Sequence, residues 1–509
     1  MSVTTRSYFS IFTKDDTTAS ALTTNPFKES THSSYSYTSV LSSDISYSSS
    51  TGKITFGSPG EYLVIYDTSV IVSDATNVRA RFWVNGSVVY TSEAVEQATS
   101  LDPIHSTFHT IITINSGDYL EATITTDDTA TAIVQEGASL VVLKANGDYA
   151  NLLYTAGANA GGTGGAEFNL FDSNESGTVA EKSKNITYTA STGKLTPDNT
   201  KTCLMLSTLI AVGGANGNIK QTLQANDSAL DNIHAHIHTT DMSPKEMSYG
   251  FMKELTAAQT AFVSVEGIGT VQAKKGTSFS VFDISNNGTN PSGYLSLTAN
   301  VDSDFLGDSG GKTCFRDGNW PSSTFASTVR AGAIDGSTGI TFTASNGRFT
   351  FSNAGRYFIL WSFCLSSVTT GTATVKVNVN GVKEYGAPWL VDGSYDPYEK
   401  TVCLILDAKA NDYFSFAVQL ASGEGGDAKY KNGTAISIFK VDDYRLTDDV
   451  SQRDLIDNDF TLNKYAIDSL STQHDRQVDQ VPFILGTPGP LSLRNRLNAP
   501  STKQGDKKN

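Results

Sequence analysis

Apolar and polar residues alternate in short runs along most of this chain, and residues that favour turns separate the runs. In the stretch NVRARFWVNGSVVYTS, the apolar residues Val78, Ala80, Phe82 and Val84 fall at every second position. An Asn-Gly pair then leads into a second run, which is the strongest short-range signal for a β-hairpin. The stretch TATVKVNVNGVKEY repeats it. The pattern predicts an all-β sandwich fold, and the best candidate for a helical period is Ser243–Ala258.

Three copies of one sequence pattern follow one another. Gly52, Gly193 and Gly347 occupy equivalent positions, offset by 141 and then by 154 residues. Each of them has an isoleucine seven residues before it and an asparagine 33 residues after it. Offsets this long correspond to whole domains and not to solenoid repeats. The sequence therefore predicts three tandem domains and a separate tail, at residues 1–145, 146–286, 287–443 and 444–509.

Some of the predicted strands are apolar on both faces. EYLVIY (Glu61–Tyr66), RYFILWSF (Arg356–Phe363) and TVCLILD of the third copy do not alternate. Because a two-sheet sandwich leaves one face of each sheet in water, such strands need a cover on the outer face. The cover is either a sister chain or a loop of the same domain, and we expect a sister chain. The aromatic residues expected to pack edge to face near such subunit interfaces are Tyr62, Tyr66, Tyr357, Phe358 and Trp361.

These motifs resemble a known family. A G-x-Y/F strand, the Asn-Gly hairpin, a GDYL or NDYF turn and a closing strand such as GTAISIFK are similar to the jelly roll of the C1q and tumour-necrosis-factor superfamily. The second copy departs from the pattern, since Lys201 replaces the glycine and AQT replaces the GDY turn. Over residues 1–443 the resemblance implies ten-strand jelly rolls that form homotrimers and bind without catalysis. Tandem copies in a chain without a signal sequence look like phage and viral virion proteins.

The last 66 residues, 444–509, differ from the rest of the chain. Acidic residues come first, then a proline-rich apolar stretch, VPFILGTPGPLSLRNRL, and then a basic end. Proline at this density excludes a regular helix or a central strand, so apolar residues here need a partner to cover them. We expect an extended arm that anchors the protein to a capsid; an ordinary disordered terminus is the alternative. The anchoring residues would be Val481, Phe483, Ile484, Leu485, Leu491, Leu493, Arg494 and Arg496.

Composition narrows the possible partners. A formal net charge of −15 disfavours nucleic acid, which requires clustered Lys and Arg. No apolar run reaches the length of roughly 18 residues needed to span a membrane, and the start lacks the features of a signal peptide. Four cysteines without metal spacing predict buried, reduced thiols. Together with the resemblance to phage and viral virion proteins, these features imply a chain made in the host cytoplasm and located in a virion.

Two motifs suggest chemistry. The sequence GDSGG (Gly307–Gly311) looks like the nucleophile motif of a serine protease, but no histidine in the chain has the context of its catalytic partner, so a chance match is expected. His234, His236 and His238 alternate on a predicted strand and could bind a transition metal; the alternative is a solvated polar face. No other cofactor is expected.

The predicted function is structural. We expect a homotrimeric capsid decoration, vertex or fibre protein that attaches through its C-terminal arm to the major capsid protein or to other virion proteins. The alternative is a receptor- or glycan-binding adhesin built of the same jelly rolls, which would contact a host cell surface. An enzyme is not expected.

Overall fold

The structure is a computed structural model of the 509-residue chain. It describes residues 6–18, 20–21, 23–73, 76–92, 95–97, 104–126, 131–156, 167–173, 178–213, 217–225, 233–239, 245–267, 271–285, 288, 290–299, 302–303, 312–316, 325–330, 339–366, 371–391, 398–420, 428–431 and 433–442. The described part consists of β-strands with one short 3-10 helix, Glu29–Thr31, and contains no α-helix. The predicted all-β class is therefore confirmed.

The strands fall into three consecutive groups, which we call the first, second and third repeats. The first repeat contains β1 (Tyr8–Thr13), β2 (Ser20–Ala21), β3 (Thr23–Thr24), β4 (Tyr37–Leu41), β5 (Ile45–Ser48), β6 (Lys53–Phe56), β7 (Gly60–Val72), β8 (Thr76–Val84), β9 (Ser87–Thr91), β10 (Val95–Gln97), β11 (Ile104–Ile114), β12 (Tyr119–Thr126), β13 (Thr131–Val134) and β14 (Ser139–Lys144). The second repeat contains β15 (Tyr149–Tyr154), β16 (Phe168–Asn169), β17 (Val179–Lys184), β18 (Ile186–Thr189), β19 (Lys194–Pro197), β20 (Lys201–Gly213), β21 (Gly217–Ala225), β22 (Ile233–Thr239), β23 (Lys245–Leu255), β24 (Ala261–Gly267), β25 (Val271–Ala273) and β26 (Ser278–Asp283). The third repeat contains β27 (Tyr294–Ala299), β28 (Lys312–Thr313), β29 (Phe325–Arg330), β30 (Ile340–Thr343), β31 (Arg348–Phe351), β32 (Gly355–Ser366), β33 (Gly371–Val379), β34 (Val382–Val391), β35 (Tyr398–Ala408), β36 (Tyr413–Leu420), β37 (Lys429–Tyr430) and β38 (Ala435–Lys440).

Each repeat is a jelly roll of two antiparallel sheets with the same strand order. In the second repeat the sheets run β17-β15-β26-β20-β23 and β18-β19-β24-β21-β22. In the third they run β29-β27-β38-β32-β35 and β30-β31-β36-β33-β34. The first repeat keeps the order, with β4-β1-β14-β7-β11 opposite β5-β6-β12-β8-β9. Strands distant in sequence are thus neighbours in each sheet, as the jelly-roll fold requires.

The Asn-Gly hairpins form as the sequence predicts. Asn85 and Gly86 both have positive φ angles, 52° and 77°, which the tight turn between β8 and β9 demands. The Asn85 amide nitrogen donates to an Asp118 oxygen at 2.6 Å, and the Tyr119 N–H donates to Asn85 Oδ1 at 3.1 Å. Asn380 makes the same bonds in the third repeat. The hairpin and the GDYL-type turn recur together because they are bonded to each other.

Each repeat encloses its own hydrophobic core, and a fourth cluster is shared by all three. All the described strands belong to one compact unit, Met1–Asp443, which is separate from Tyr444–Asn509. No sheet formed by the described strands draws strands from two repeats. The predicted arm, including all its anchoring residues, lies outside the described residues.

Candidate functional site

The three repeats meet around a shared apolar cluster, which we call the axial cluster. It consists of Tyr8, Val40, Leu63, Ile65, Ile111, Val141, Leu143, Leu204, Leu206, Met252, Phe282, Ile284, Phe358, Leu360, Cys403, Ile405, Phe439 and Val441. The members come from equivalent strands of the three repeats, for example Ile111, Met252 and Ile405 from β11, β23 and β35. We call these three strands the axial strands.

The axial cluster explains the strands that are apolar on both faces. Along β32, Tyr357, Ile359 and Trp361 lie in the core of the third repeat, whereas Phe358 and Leu360 lie in the axial cluster. The same alternation holds along β7 and β35. One face of each sheet therefore packs inside its own repeat, and the other packs against the neighbouring repeats.

This arrangement corrects the expectation of sister chains. The outer faces are buried within a single chain, by its other repeats and not by loops of the same domain or by a second subunit. Of the five aromatic residues predicted at subunit interfaces, only Phe358 lies in the shared cluster. Tyr62 and Tyr66 lie in the core of the first repeat, and Tyr357 and Trp361 in that of the third.

A ring of hydroxyl groups crosses the axis next to the apolar cluster. Thr107, Ser248 and Thr401 occupy the fourth position of their axial strands. The Thr107 hydroxyl donates to the Thr401 carbonyl at 3.3 Å, the Thr401 hydroxyl donates to the Ser248 carbonyl at 2.6 Å, and the Ser248 hydroxyl donates to the Thr107 carbonyl. Each repeat thus bonds the next in a closed cycle, which defines a pseudo-threefold axis. We call these three residues the hydroxyl ring.

Three titratable residues form the next layer along the axis. His105, Glu246 and Glu399 stand at the second position of the axial strands and are partly buried. The Thr107 N–H donates to Glu246 Oε1 at 3.3 Å, and the Ser248 N–H donates to Glu399 at 3.0 Å. Each carboxyl group therefore accepts a bond from a different repeat. We call these three residues the carboxyl layer.

The low polarity of the axis shifts the pKa values there. Burial raises the pKa of Glu246 to about 8. Burial and then the nearby Glu246 carboxyl raise the pKa of Glu399 well above its usual value. Burial and then Lys400 lower the pKa of His105, and burial lowers the pKa of His109 to about 3. These shifts all favour the neutral form, as expected where charges are removed from water.

One buried ion pair lies beside the hydroxyl ring. Lys400 Nζ lies 2.7 Å from Asp67 Oδ1, and the two side chains are 2% and 0% exposed. The Thr107 hydroxyl shares its single proton between this oxygen, at 3.1 Å, and the Thr401 carbonyl, and the Tyr385 hydroxyl lies 3.5 Å from Asp67 Oδ2. Burial raises the pKa of Asp67, and the Lys400 ammonium opposes that shift. The pair joins the first repeat to the third.

The other predicted sites lie elsewhere in the chain, and parts of them are outside the described residues. His234, His236 and His238 lie on β22 and pair in register with Thr222, Lys220 and Asn218, but their side chains are outside the described residues. GDSGG is also outside them. Among the described residues, no group of three or more His, Cys, Asp or Glu is arranged to hold a metal. All four cysteines are buried and reduced, as predicted. The described part of the chain has no helix long and apolar enough to cross a membrane.

The sequence prediction missed the hydroxyl ring and the carboxyl layer. A signal for both exists in the aligned axial strands IHSTFHTIITI, KEMSYGFMKEL and YEKTVCLILDA. The second and fourth positions are polar in all three copies, although these strands also supply residues of the axial cluster. A polar residue retained at one level of a buried strand indicates a hydrogen-bonded layer.

Comparisons with known proteins give a limited result. No protein-family model and no curated protein matches the chain. Among solved structures, the chain is similar to the TNF protein Eiger from S. frugiperda, with 12% identity, 30% of this chain and 93% of that chain covered, and a TM-score of 0.21. It is also similar to the globular domain of zebrafish complement 1qA, with 13% identity, 31% and 99% covered, and a TM-score of 0.21. The jelly-roll assignment rests on the strand order described above.

Proposed function

We propose that this chain is a structural protein of a virion. Its three repeats take the places that three separate chains occupy in a jelly-roll trimer. Three repeats form one body around a common axis, and residues 444–509 attach that body to the major capsid protein or another virion protein. The observation that carries the proposal is the axial cluster with its hydroxyl ring. A homotrimer of chains is not needed to cover the apolar faces, because each chain already contains three mutually covering repeats.

The character of the axis supports a structural role. Its apolar residues and its closed cycle of hydrogen bonds hold three bodies in one fixed arrangement, which suits a display platform. The tail has the opposite properties, with prolines and apolar residues that require a partner. Rigid body and attachment segment are therefore separate parts of the chain.

Deletion of Tyr444–Asn509 tests the attachment. The shortened protein should keep the thermal midpoint and circular dichroism spectrum of the full chain but fail to join particles in an assembly reaction. A matched variant with Val481, Phe483 and Leu485 changed to serine should fail in the same way. A second variant changes only the basic residues at the end of the segment, Arg494, Arg496, Lys503, Lys507 and Lys508. Comparison of the two variants separates the effect of charge from that of apolar contact. Particles that take up the shortened protein at the normal level would contradict this proposal.

The second candidate is an adhesin that binds a receptor or glycan on a host surface. It is favoured by the exposed ring of Tyr37, which is 37% exposed and lies 4.9 Å from Tyr35 and 5.5 Å from Tyr47 between ring centroids. Exposed clustered aromatic rings are common in contact surfaces. Binding of the isolated protein to host cells, and its loss in Tyr37→Ser, would favour this function over a purely structural one.

A further inference from the structure

The three interfaces around the axis differ at one pair of positions. Where the first repeat meets the third, Asp67 of β7 contacts Lys400 of β35. Asp67 corresponds to Thr208 of β20 in the second repeat and to Ser362 of β32 in the third. Lys400 corresponds to Met247 of β23 in the second repeat and to Ser106 of β11 in the first. An amine therefore faces a carboxyl group at this level in one interface out of three.

That interface is also the one without a peptide connection across it. The chain passes from the first repeat to the second between Lys144 and Tyr149, and from the second to the third between Asp283 and Tyr294. The first and third repeats are connected covalently only through the second. A bond between Asp67 and Lys400 would close the ring of three repeats.

The two side chains are held in contact and away from water. Lys400 Nζ lies 2.7 Å from Asp67 Oδ1, and the two side chains are 2% and 0% exposed. The amine therefore contacts an oxygen of the carboxyl group. Tyr385 is fixed by a 2.9 Å hydrogen bond from its hydroxyl to the Gly137 carbonyl, and Thr107 is fixed in the hydroxyl ring. Holding two reactants in one geometry turns a bimolecular step into an effectively unimolecular one.

We propose that Asp67 and Lys400 are a self-modification site, at which the Lys400 amine attacks Asp67 Cγ and forms an amide bond with release of water. The Nζ–Cγ bond forms and the Cγ–Oδ1 bond breaks. Of the three protons on the ammonium group, one stays on the amide nitrogen and two leave with Oδ1 as water. No oxidant, reductant or other reactant is required.

The surroundings favour this reaction. Attack needs the neutral amine and the neutral acid, which form when one proton moves along the Lys400–Asp67 hydrogen bond. Burial raises the pKa of Asp67, which favours this transfer. The Tyr385 hydroxyl lies 3.5 Å from Oδ2, where negative charge develops in the tetrahedral intermediate, and donates there only when its proton turns away from the Gly137 carbonyl. The Thr107 hydroxyl stands beside Oδ1, the leaving oxygen.

The mass of the intact, unfolded full-length protein tests the proposal. The wild type should be lighter than its sequence by one water molecule, and protease digestion should release a branched peptide that contains both Asp67 and Lys400. Lys400→Arg keeps the buried positive charge but should have the full sequence mass. Lys201→Arg is the matched control, because Lys201 forms an ion pair with Asp148 elsewhere. That variant should still lack one water.

The wild-type measurement alone can overturn the proposal, even where a variant fails to fold. A wild-type protein with the full sequence mass after prolonged incubation means that the pair stays ionic. Loss of water that maps to any other residues also overturns it. Loss that maps to Asp67 and Lys400 and is absent from Lys400→Arg supports it.

Discussion

The carboxyl layer predicts that the three-repeat body loses stability as the pH rises from 6.5 to 8, and that Glu246→Gln removes the share of this loss that Glu246 contributes. Burial raises the pKa of Glu246 to about 8 from an ordinary value of 4.5. Between these values the folded protein holds a proton that the unfolded chain has released. Stability therefore falls as the pH rises through this window. Glutamine keeps an oxygen that can accept the bond from the Thr107 N–H but cannot ionise.

The axial histidines act in the opposite direction and at lower pH. The pKa of His109 is about 3 in the folded protein against an ordinary 6.5, so its contribution is lost as the pH falls below 6.5. His105 has the same sign. Above pH 6.5 these histidines are neutral in both states, and the slope there belongs to the carboxyl groups. Glu399, whose pKa is also raised, adds to the slope of Glu246.

The expected effect is small but measurable. One such group changes the free energy of unfolding by about 1.4 kcal/mol per pH unit, so the step from pH 6.5 to 8 costs roughly 1–2 kcal/mol, the lower figure allowing for the part of Glu246 that water reaches. For a body of this size, that corresponds to a fall of roughly 1–2 °C in the thermal midpoint. Differential scanning calorimetry at the two pH values measures it. Glu254→Gln is the matched control, since Glu254 lies on the same strand with an exposed side chain.

Two results would refute this reasoning. One is a wild-type midpoint at pH 8 that equals or exceeds the midpoint at pH 6.5. The other is a Glu246→Gln variant that keeps the full wild-type pH dependence while Glu254→Gln behaves as the wild type. Either result would mean that the two carboxyl groups of the layer remain ionised in the folded protein.

Three further predictions concern the same axis. Phe358→Ala should destabilise the body by about 3–5 kcal/mol, measured by urea unfolding, because it opens a cavity between repeats; a loss below 1 kcal/mol would mean that the site is not packed. Thr401→Val should cost about 1–3 kcal/mol, because it leaves the Ser248 carbonyl without its donor; no change would show that the ring adds no stability. Asp67→Thr and Lys400→Ser should each cost about 3–5 kcal/mol more than the double variant, because each leaves one buried charge unpaired; additive losses would contradict the pairing. None of these last three variants can form the amide bond, so their comparison isolates the charges.

The sequence predicts the β class and the hairpin turns well because their signals are local. The Asn85–Gly86 turn needs positive φ angles, and the alternation along β8 follows from one wet and one dry face. The strand β23 shows the limit of such signals. The stretch Ser243–Ala258 has the best helical period in the chain, yet Lys245–Leu255 within it form a strand because their neighbours in the sheet and across the axis bury residues on both faces. Tertiary contacts override the local pattern there.

The sequence does not predict what covers the outer apolar faces of the sheets, and the reason is physical. An apolar outer face on β32 requires a cover, but a sister chain, a loop and another repeat bury the same area. The choice depends on how the three repeats are oriented, which is set by contacts between residues hundreds of positions apart, such as Ser10 Oγ with the Ile405 N–H at 3.0 Å. A period-two pattern carries no information about such contacts. The polar second and fourth positions of the axial strands carry some information about contacts between repeats, because a hydrogen-bonded layer needs partners from outside its own sheet.

Joining three jelly rolls in one chain removes a restriction that symmetry imposes on a trimer of identical chains. In such a trimer every residue on the axis appears three times, so a glutamate at the second position of the axial strand would place three carboxyl groups together. Here the layer holds His105, Glu246 and Glu399, and one neutral imidazole replaces the third acid. The same freedom allows Asp67 and Lys400 to occur in a single interface. A symmetric trimer would repeat that buried pair, and its desolvation cost, three times. We therefore expect an axial residue that is unique to one repeat to contact a residue that is unique to another repeat. The double variant of Asp67 and Lys400 measures the coupling energy of one such pair.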